Sequence, residues 1–415
     1  MSEEVLEIPL DWEVITLGEL NTLKSRTLLP ESFPEEIFEY YSIPDYQNGE
    51  LPGRVPGKSI ASAKLVLKPR SVLFGKLNPR VEKVWRVGPQ SGLRQIGSTE
   101  WIPVLPDDRM DPDFLFFLQW SDHVMPKAKT MVSGSTPSRQ RVDPTSFYKI
   151  RVPLPPLPEQ RRIAHVLSTV QEAIAQQEKL IRTTTELKQA LMQKLFTEGL
   201  RGEPLKETEI GMVPESWGIV SVGQLFYTQL GKMLSPKART GSEPKPYLRN
   251  KNVQWDGIDT DDLYLMDFDD REMEKFRLEP GDLLVCEGGE VGRTALWRGA
   301  IEECYYQKAL HRLRPRDGSI RPAFMAYWMR YAFQMHNIYG VTGTRTTIAH
   351  LPEIKLTPLT VPLPSIEEQD KMLAVLEGTD EKLDHTRHKL IALQALFRTL
   401  LHELMTGKVS VGEMN

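Results

Sequence analysis

Cysteine is almost missing from this chain: Cys286 and Cys304 are the two in 415 residues. So few thiols exclude a disulfide-stapled fold and suit a reducing compartment, with both side chains buried or inert. No run of ~18 apolar residues occurs, so no membrane-spanning helix is expected. The opening Met1-Ser2-Glu3-Glu4 has neither the basic start nor the apolar stretch of a secretory signal, and a cytoplasmic location is expected. The phosphate-cradling pattern Gly-x-x-x-x-Gly-Lys-Ser/Thr is absent. Gly288-Gly289-Glu290-Val291-Gly292-Arg293 is glycine-rich but lacks the Lys-Ser/Thr ending, and reads as a tight turn between strands. Asn78-Pro79-Arg80 does not complete the Asn/Asp-Pro-Pro-aromatic motif of amino-methyltransferases. His385 and His388 have no neighbouring Cys or carboxylate set that would complete a zinc site. No catalytic residue and no metal ligand is therefore assigned.

What the chain does have is a long internal repeat. Val152-Pro153-Leu154-Pro155-Pro156-Leu157-Pro158-Glu159-Gln160 returns as Val361-Pro362-Leu363-Pro364-Ser365-Ile366-Glu367-Glu368-Gln369, an offset of 361 − 152 = 209 residues. Upstream, Ile8-Pro9-Leu10-Asp11-Trp12 reads against Val213-Pro214-Glu215-Ser216-Trp217. A period this long is a duplicated domain, not a solenoid unit of a few dozen residues.

A long helical pattern follows each copy of the motif. Ile163, Leu167, Val170, Ile174, Ile181, Leu191 and Leu195 fall on a seam with alternating steps of four and three, filled in by Gln177, Thr184 and Lys188. The second copy keeps the phase with Met372, Leu376, Leu383, Leu390, Leu393, Phe397, Leu400 and Leu404. The matched phase predicts mutual antiparallel packing, with Ile163 near Leu404 and Thr184 near Leu383. Gly199 and Gly407 are placed to end the two helices.

Regions 1–157 and 203–364 are dense in Gly and Pro breakers and short apolar alternations, which predicts mostly β heads with a few helices. Pro112–Trp120 and Pro322–Tyr331 read as helices whose aromatic residues face the core. The fold class is therefore α+β: two β-rich globular domains separated by two long antiparallel coiled-coil helices, related by a pseudo-twofold internal repeat. The expected divisions are 1–157, 158–200, 201–364 and 365–415, alternating head and helix.

The net charge is −4, yet the charges are segregated. Stretches 62–86, 126–151 and 232–254 are strongly basic, whereas 256–274 is strongly acidic. Such segregation is able to give a neutral protein a positive face.

A β-rich head, a Pro-Leu-Pro-x-x-x-Glu-Gln motif and a long helix, the whole repeated once, resemble the specificity subunit of type I restriction–modification systems. The similarity spans essentially the whole chain and includes Gly211-Met212-Val213-Pro214-Glu215-Ser216-Trp217 and the Gly-Ser/Thr loops around Gly134 and Gly343. The resemblance implies two target recognition domains that each read half of a split sequence in double-stranded DNA. It implies a helical spacer that sets the gap and docks two methyltransferase subunits, with restriction/translocase subunits able to join. It also implies that this chain performs no bond chemistry and holds no cofactor. S-adenosylmethionine would belong to the methyltransferase partner, and ATP with Mg to the restriction partner.

Loop position and side-chain chemistry supply the candidate DNA contacts, since Lys and Arg anchor phosphates and Asn, Gln and Arg read base edges. In head one these are Lys76, Asn78, Arg80, Arg139, Gln140 and Arg141. In head two they are Arg249, Asn250, Lys251, Asn252, Arg293, Arg345 and Thr346. Two other readings stay open on the residues alone. One is a self-contained DNA-modifying enzyme; the other is a scaffold whose paired domains bind protein or glycan.

Overall fold

Each copy of the proline-rich motif ends a strand and starts a helix. In the computed structural model, which describes residues 8–24, 26–235, 244–340 and 350–413, strand Arg151–Leu154 leads into helix Leu157–Glu198. Strand Thr360–Leu363 leads into helix Ile366–Met405 in the same way. Proline is tolerated in a first helical turn, where its missing N–H would have had no partner. Glu159, Glu367 and Glu368 occupy the first turns, where the helix dipole favours negative charge.

Contacts divide the chain into two units, residues 1–179 with 387–415 and residues 180–386. The division cuts both long helices. Each unit thus holds one head, half of one helix and half of the other. In the first unit Phe114, Phe117, Phe74 and Val104 share a core with Ile163, Ala164 and Leu167 of the first long helix and Leu404 and Met405 of the second. In the second unit Phe324, Met325 and Trp328 share a core with Met192, Leu195, Phe196, Met372 and Leu376. There the helices run antiparallel, because Lys188 pairs with Asp380 while the Leu200 amide donates to Glu368 Oε1 at 3.1 Å. Along the seam Ile163, Leu167, Leu195, Met372, Leu376, Leu383 and Leu404 are buried. Val170, Ile174, Ile181, Leu191, Leu390, Leu393, Phe397 and Leu400 are half-buried.

Each head closes on itself. Strand Glu13–Thr16 pairs antiparallel with Arg151–Leu154, and strand Gly218–Ser221 pairs antiparallel with Thr360–Leu363. Head one adds a five-stranded sheet and a three-stranded sheet whose central strand is Val72–Gly75. Head two adds a four-stranded sheet containing Leu283–Cys286 and a three-stranded sheet around Pro244–Leu248. Helices Pro112–Trp120 and Pro322–Met329 bury Phe114, Phe116, Phe117, Phe324 and Trp328. The second continues as a π-helix over Arg330–Met335.

The motif's glutamines explain why the motif recurs. Gln160 is fully buried; its Nε2 donates to Arg109 O at 2.9 Å and Pro155 O at 2.7 Å, and its Oε1 accepts from the Asp111 amide at 2.8 Å. Gln369 is also fully buried; it donates to Ser319 O at 3.1 Å and Pro364 O at 3.0 Å, and accepts from the Arg321 amide at 2.8 Å. Asp111 and Arg321 are the N-caps of the two aromatic helices. One amide therefore ties the strand exit, the long helix and the head's own helix together in each unit.

The far ends of the long helices close against the leading segments. Gly407 has φ +70°, and a Cβ there would meet Pro9 at 2.4 Å. Gly199 has φ +64°, and a Cβ there would meet Pro214 at 2.9 Å and Trp217 at 3.1 Å. Left-handed backbone and close approach both demand glycine. Trp12 also donates to Glu159 Oε2 at 3.1 Å. His123 is buried with Nε2 2.9 Å from Met405 O, which fixes the end of the second long helix within the first unit.

Replacing Gln369 by Ala should lower stability by about 2 kcal/mol, because one amide and two carbonyls lose a buried partner. Urea denaturation should give the same loss for Gln160→Ala. Burial pushes the His123 and His311 imidazoles below the usual 6.5. The folded state therefore binds fewer protons than the unfolded chain. Their contribution is complete above pH ~6.5 and is lost as pH falls below it toward the depressed folded values. The melting temperature should drop from pH 7.5 to 5.5, and less so in His123→Gln.

Candidate nucleic-acid interface

In head one the candidates converge. After strand Val72–Gly75 the chain turns at Asn78, which has φ +49° and whose amide donates to Gln140 O at 2.8 Å. Leu77 bridges to Arg141, and Lys76 O accepts from the Val142 amide at 2.9 Å. Ser133 pairs with Arg141 across a short hairpin that carries Arg139 and Gln140 at its tip. Lys76, Asn78, Arg80, Arg139, Gln140 and Arg141 thus lie on two loops locked together. Arg80 and Arg139 are exposed, and among the described residues neither side chain has a hydrogen bond or ion pair. Arg141 is committed to Glu100, with Nε 3.1 Å from its Oε2. The Glu100 carboxylate raises the pKa of Arg141 further. Lys83 braces the turn from below by donating to Val81 O at 2.5 Å and Asn78 O at 3.3 Å.

In head two the basic residues are spent internally. Arg249 lies over the Tyr264 ring at 3.4 Å and donates to Asp262 O at 2.9 Å. Lys251 pairs with the same Asp262, whose carboxyl is held below its usual range by Lys251 first and Arg249 second. Lys232 meets Glu272 at 2.5 Å and Lys245 meets Glu303 at 3.0 Å. The positive face that stretch 232–254 suggested is therefore neutralised among the described residues. The reason is topological: strand Pro244–Leu248 pairs antiparallel with Tyr264–Asp267, which lays the acidic stretch beside the basic one.

Asn252 must be withdrawn as a DNA contact. It is fully buried, its Nδ2 donates to Asp259 O at 3.0 Å and Asp262 O at 3.1 Å, and its Oδ1 accepts from the Arg249 amide at 2.9 Å. Asn250 and Arg293 hold a turn: Asn250 Nδ2 donates to Gly288 O at 2.9 Å, and Arg293 Nη2 donates to Asn250 O at 2.8 Å. Gly288–Gly292 is the turn between strands Leu283–Cys286 and Thr294–Leu296, with Gly289 at φ +75°. Arg345 and Thr346 lie outside the described residues.

A cavity of about 440 Å³ opens beside that turn, lined by Glu287, Gly288, Gly289, Gln307, Lys308 and His350 among others. Among the described residues, the side chains of Gln307, Lys308, His350 and Glu287 make no hydrogen bond or ion pair. The sequence reading missed all four. The repeat offset was a signal for one of them, since Arg141 maps to His350 (350 − 141 = 209); the same offset takes Glu100 to Ala309 (309 − 100 = 209). Where head one closes its loops with an ion pair, head two keeps a cavity.

Burial pushes the Cys286 thiol up to about 11 and the Cys304 thiol up to about 12, so both are protonated at neutral pH. Among the described residues no His, Cys, Asp or Glu cluster is arranged to hold a metal. No helix among them is long and apolar enough to cross a membrane.

Two heads on one frame, each exposing polar loops of different composition, define a class: a recognition protein with paired reading domains. The chain belongs to the family described as type I restriction modification DNA specificity domain, which matches residues 9–184 and again 214–395. Such chains are the non-catalytic DNA-recognition subunits of type I restriction systems, and this one carries two recognition domains. It is 24% identical over 421 residues to the type I restriction enzyme MjaVIII specificity subunit of Methanocaldococcus jannaschii, covering 99% of this chain and 96% of that one. Its fold matches a chain solved in work on complex assembly and conformational transition of the type I R-M system, with TM-score 0.60 and 22% identity, covering 97% of this chain and 99% of that chain. It also matches the type I restriction-modification S subunit from M. genitalium, with TM-score 0.59 and 18% identity, covering 96% of each chain.

Arg139→Ala should weaken DNA binding nearly equally across sequences. A titration against salt should show its slope reduced by roughly one, as expected for loss of one phosphate contact. Arg141→Ala should cost less, since its guanidinium is already engaged by Glu100.

Proposed function

We propose that this chain recognises a bipartite target in double-stranded DNA, one half-site per head, with the long helices setting the gap. It recruits two methyltransferase subunits, and restriction/translocase subunits join where the system contains them. S-adenosylmethionine is used by the methyltransferase partner, and ATP with Mg by the restriction partner; this chain contributes the address. It works in the cytoplasm, where the DNA is.

The observation that carries this reading is the doubled frame. Two units share strand register, buried glutamine and glycine closure, yet present unlike loops at the same place. A duplicated scaffold with divergent loops suits two different readings of one kind of ligand. Helix Leu157–Glu198 has 42 residues, a length of about 63 Å, enough to span more than one ~34 Å turn of duplex. The similarity to a structure concerned with type I complex assembly supports the partner assignment. Neither the self-contained enzyme nor the protein or glycan scaffold is favoured by any arrangement described above.

Co-expression with a type I methyltransferase subunit, followed by genome-wide mapping of methylated adenines, should return a single motif of two short parts and a fixed gap. Inserting seven residues after Gln177, with the matching seven in the second helix, should lengthen the gap and leave both parts unchanged. A motif without a gap, or a gap that ignores the insertion, would refute the ruler.

A further inference from the structure

Lys76 and Glu287 occupy one position of the duplicated frame and carry opposite charges. Each directly follows an inner strand of its sheet, Val72–Gly75 or Leu283–Cys286. Those strands keep register: Val72 faces Val104 and Gly75 faces Trp101, while Leu283 faces Leu313 and Cys286 faces Leu310. The Lys76 amide donates to Glu100 O at 2.9 Å, and its carbonyl accepts from the Val142 amide at 2.9 Å. The Glu287 amide donates to Ala309 O at 3.0 Å, and its carbonyl accepts from the Leu351 amide at 2.8 Å. Two residues later each chain enters the left-handed turn, at Asn78 with φ +49° and Gly289 with φ +75°. The backbone therefore presents both side chains at the same point of the same frame.

Among the described residues neither Lys76 nor Glu287 makes a side-chain hydrogen bond or ion pair. Arg141, Arg249, Lys251 and Arg293, by contrast, are all committed to internal partners. A carboxylate at the rim of a surface that meets phosphates is repelled by them. It is tolerated, and becomes discriminating, where a hydrogen-bond donor meets it. In the major groove the donor Glu serves best is the cytosine N4 amino group, whereas Lys serves guanine O6 and N7. Lys308 on the same cavity places an ammonium group near Glu287.

Resting on the DNA-recognition reading above, we infer that position 76/287 is a specificity-determining position of each head, with Lys76 reading a guanine in the first half-site and Glu287 reading a cytosine in the second.

The test uses the full methyltransferase complex and motif mapping. The wild-type motif should carry a G·C pair at one position of each half. Glu287→Lys should invert that pair in the second half-site, and Glu287→Ala should relax its preference by about tenfold or more. In both variants the first half-site should stay as it was, which shows that the protein is folded and bound. Lys76→Glu should do the converse in the first half. A second half-site unchanged in both Glu287 variants, with methylation retained, would overturn the inference and leave the bipartite reading intact. Absence of any two-part motif in the wild type would bring down both.

Discussion

One buried side-chain amide per unit organises this protein. Gln160 and Gln369, at the start of the long helices, each satisfy two carbonyls and one amide drawn from two other segments. A fully enclosed polar group is costly unless every bond is made, so the arrangement admits one geometry. It fixes where the exit strand ends, where the long helix begins and where the aromatic helix of the head is capped. Because the head's helix carries the phenylalanines and tryptophan of the core, the amide also orients the core against the long helices. The Pro-Leu-Pro-x-x-x-Glu-Gln pattern is thus a joint between head and rod, which is why it survives in both copies while the loops do not.

The heads then illustrate how a frame is kept and a reading changed. Strand register, a left-handed turn and two backbone hydrogen bonds are common to both. The side chains borne by that frame differ in charge and in how far they are occupied. Head one seals its loop pair with Arg141 and Glu100, leaving Arg80 and Arg139 exposed and Lys76 half-buried. Head two has Ala309 and His350 in the corresponding places and is left with a cavity. Divergence is concentrated where it costs the core nothing.

Much of this architecture is legible in the residues. The long helices follow from their heptad seams, which in the second copy run through Gly378, and their ends from Gly199 and Gly407. The aromatic helices follow from proline starts and dense apolar side chains. The interface is less legible, because a local charge cluster says nothing about what pairing will bring beside it. Stretch 232–254 looks like a positive face until antiparallel pairing places Asp262 on Arg249 and Lys251. Asn252 looks like a base reader until its amide is found closing a turn inside the fold. Gln307, Lys308 and His350 carry no motif at all, and of the three only His350 is marked by its place in the repeat, opposite Arg141.

Trp12 and Pro9 rest on Gly407, and His123 on Met405, so the tail of the second rod belongs to the core of the first head. Sequence order and structural dependence therefore run in opposite directions. Loss of the stretch from Leu404 to Gly407 would leave the second head's own residues intact, yet would strip the first head of its support.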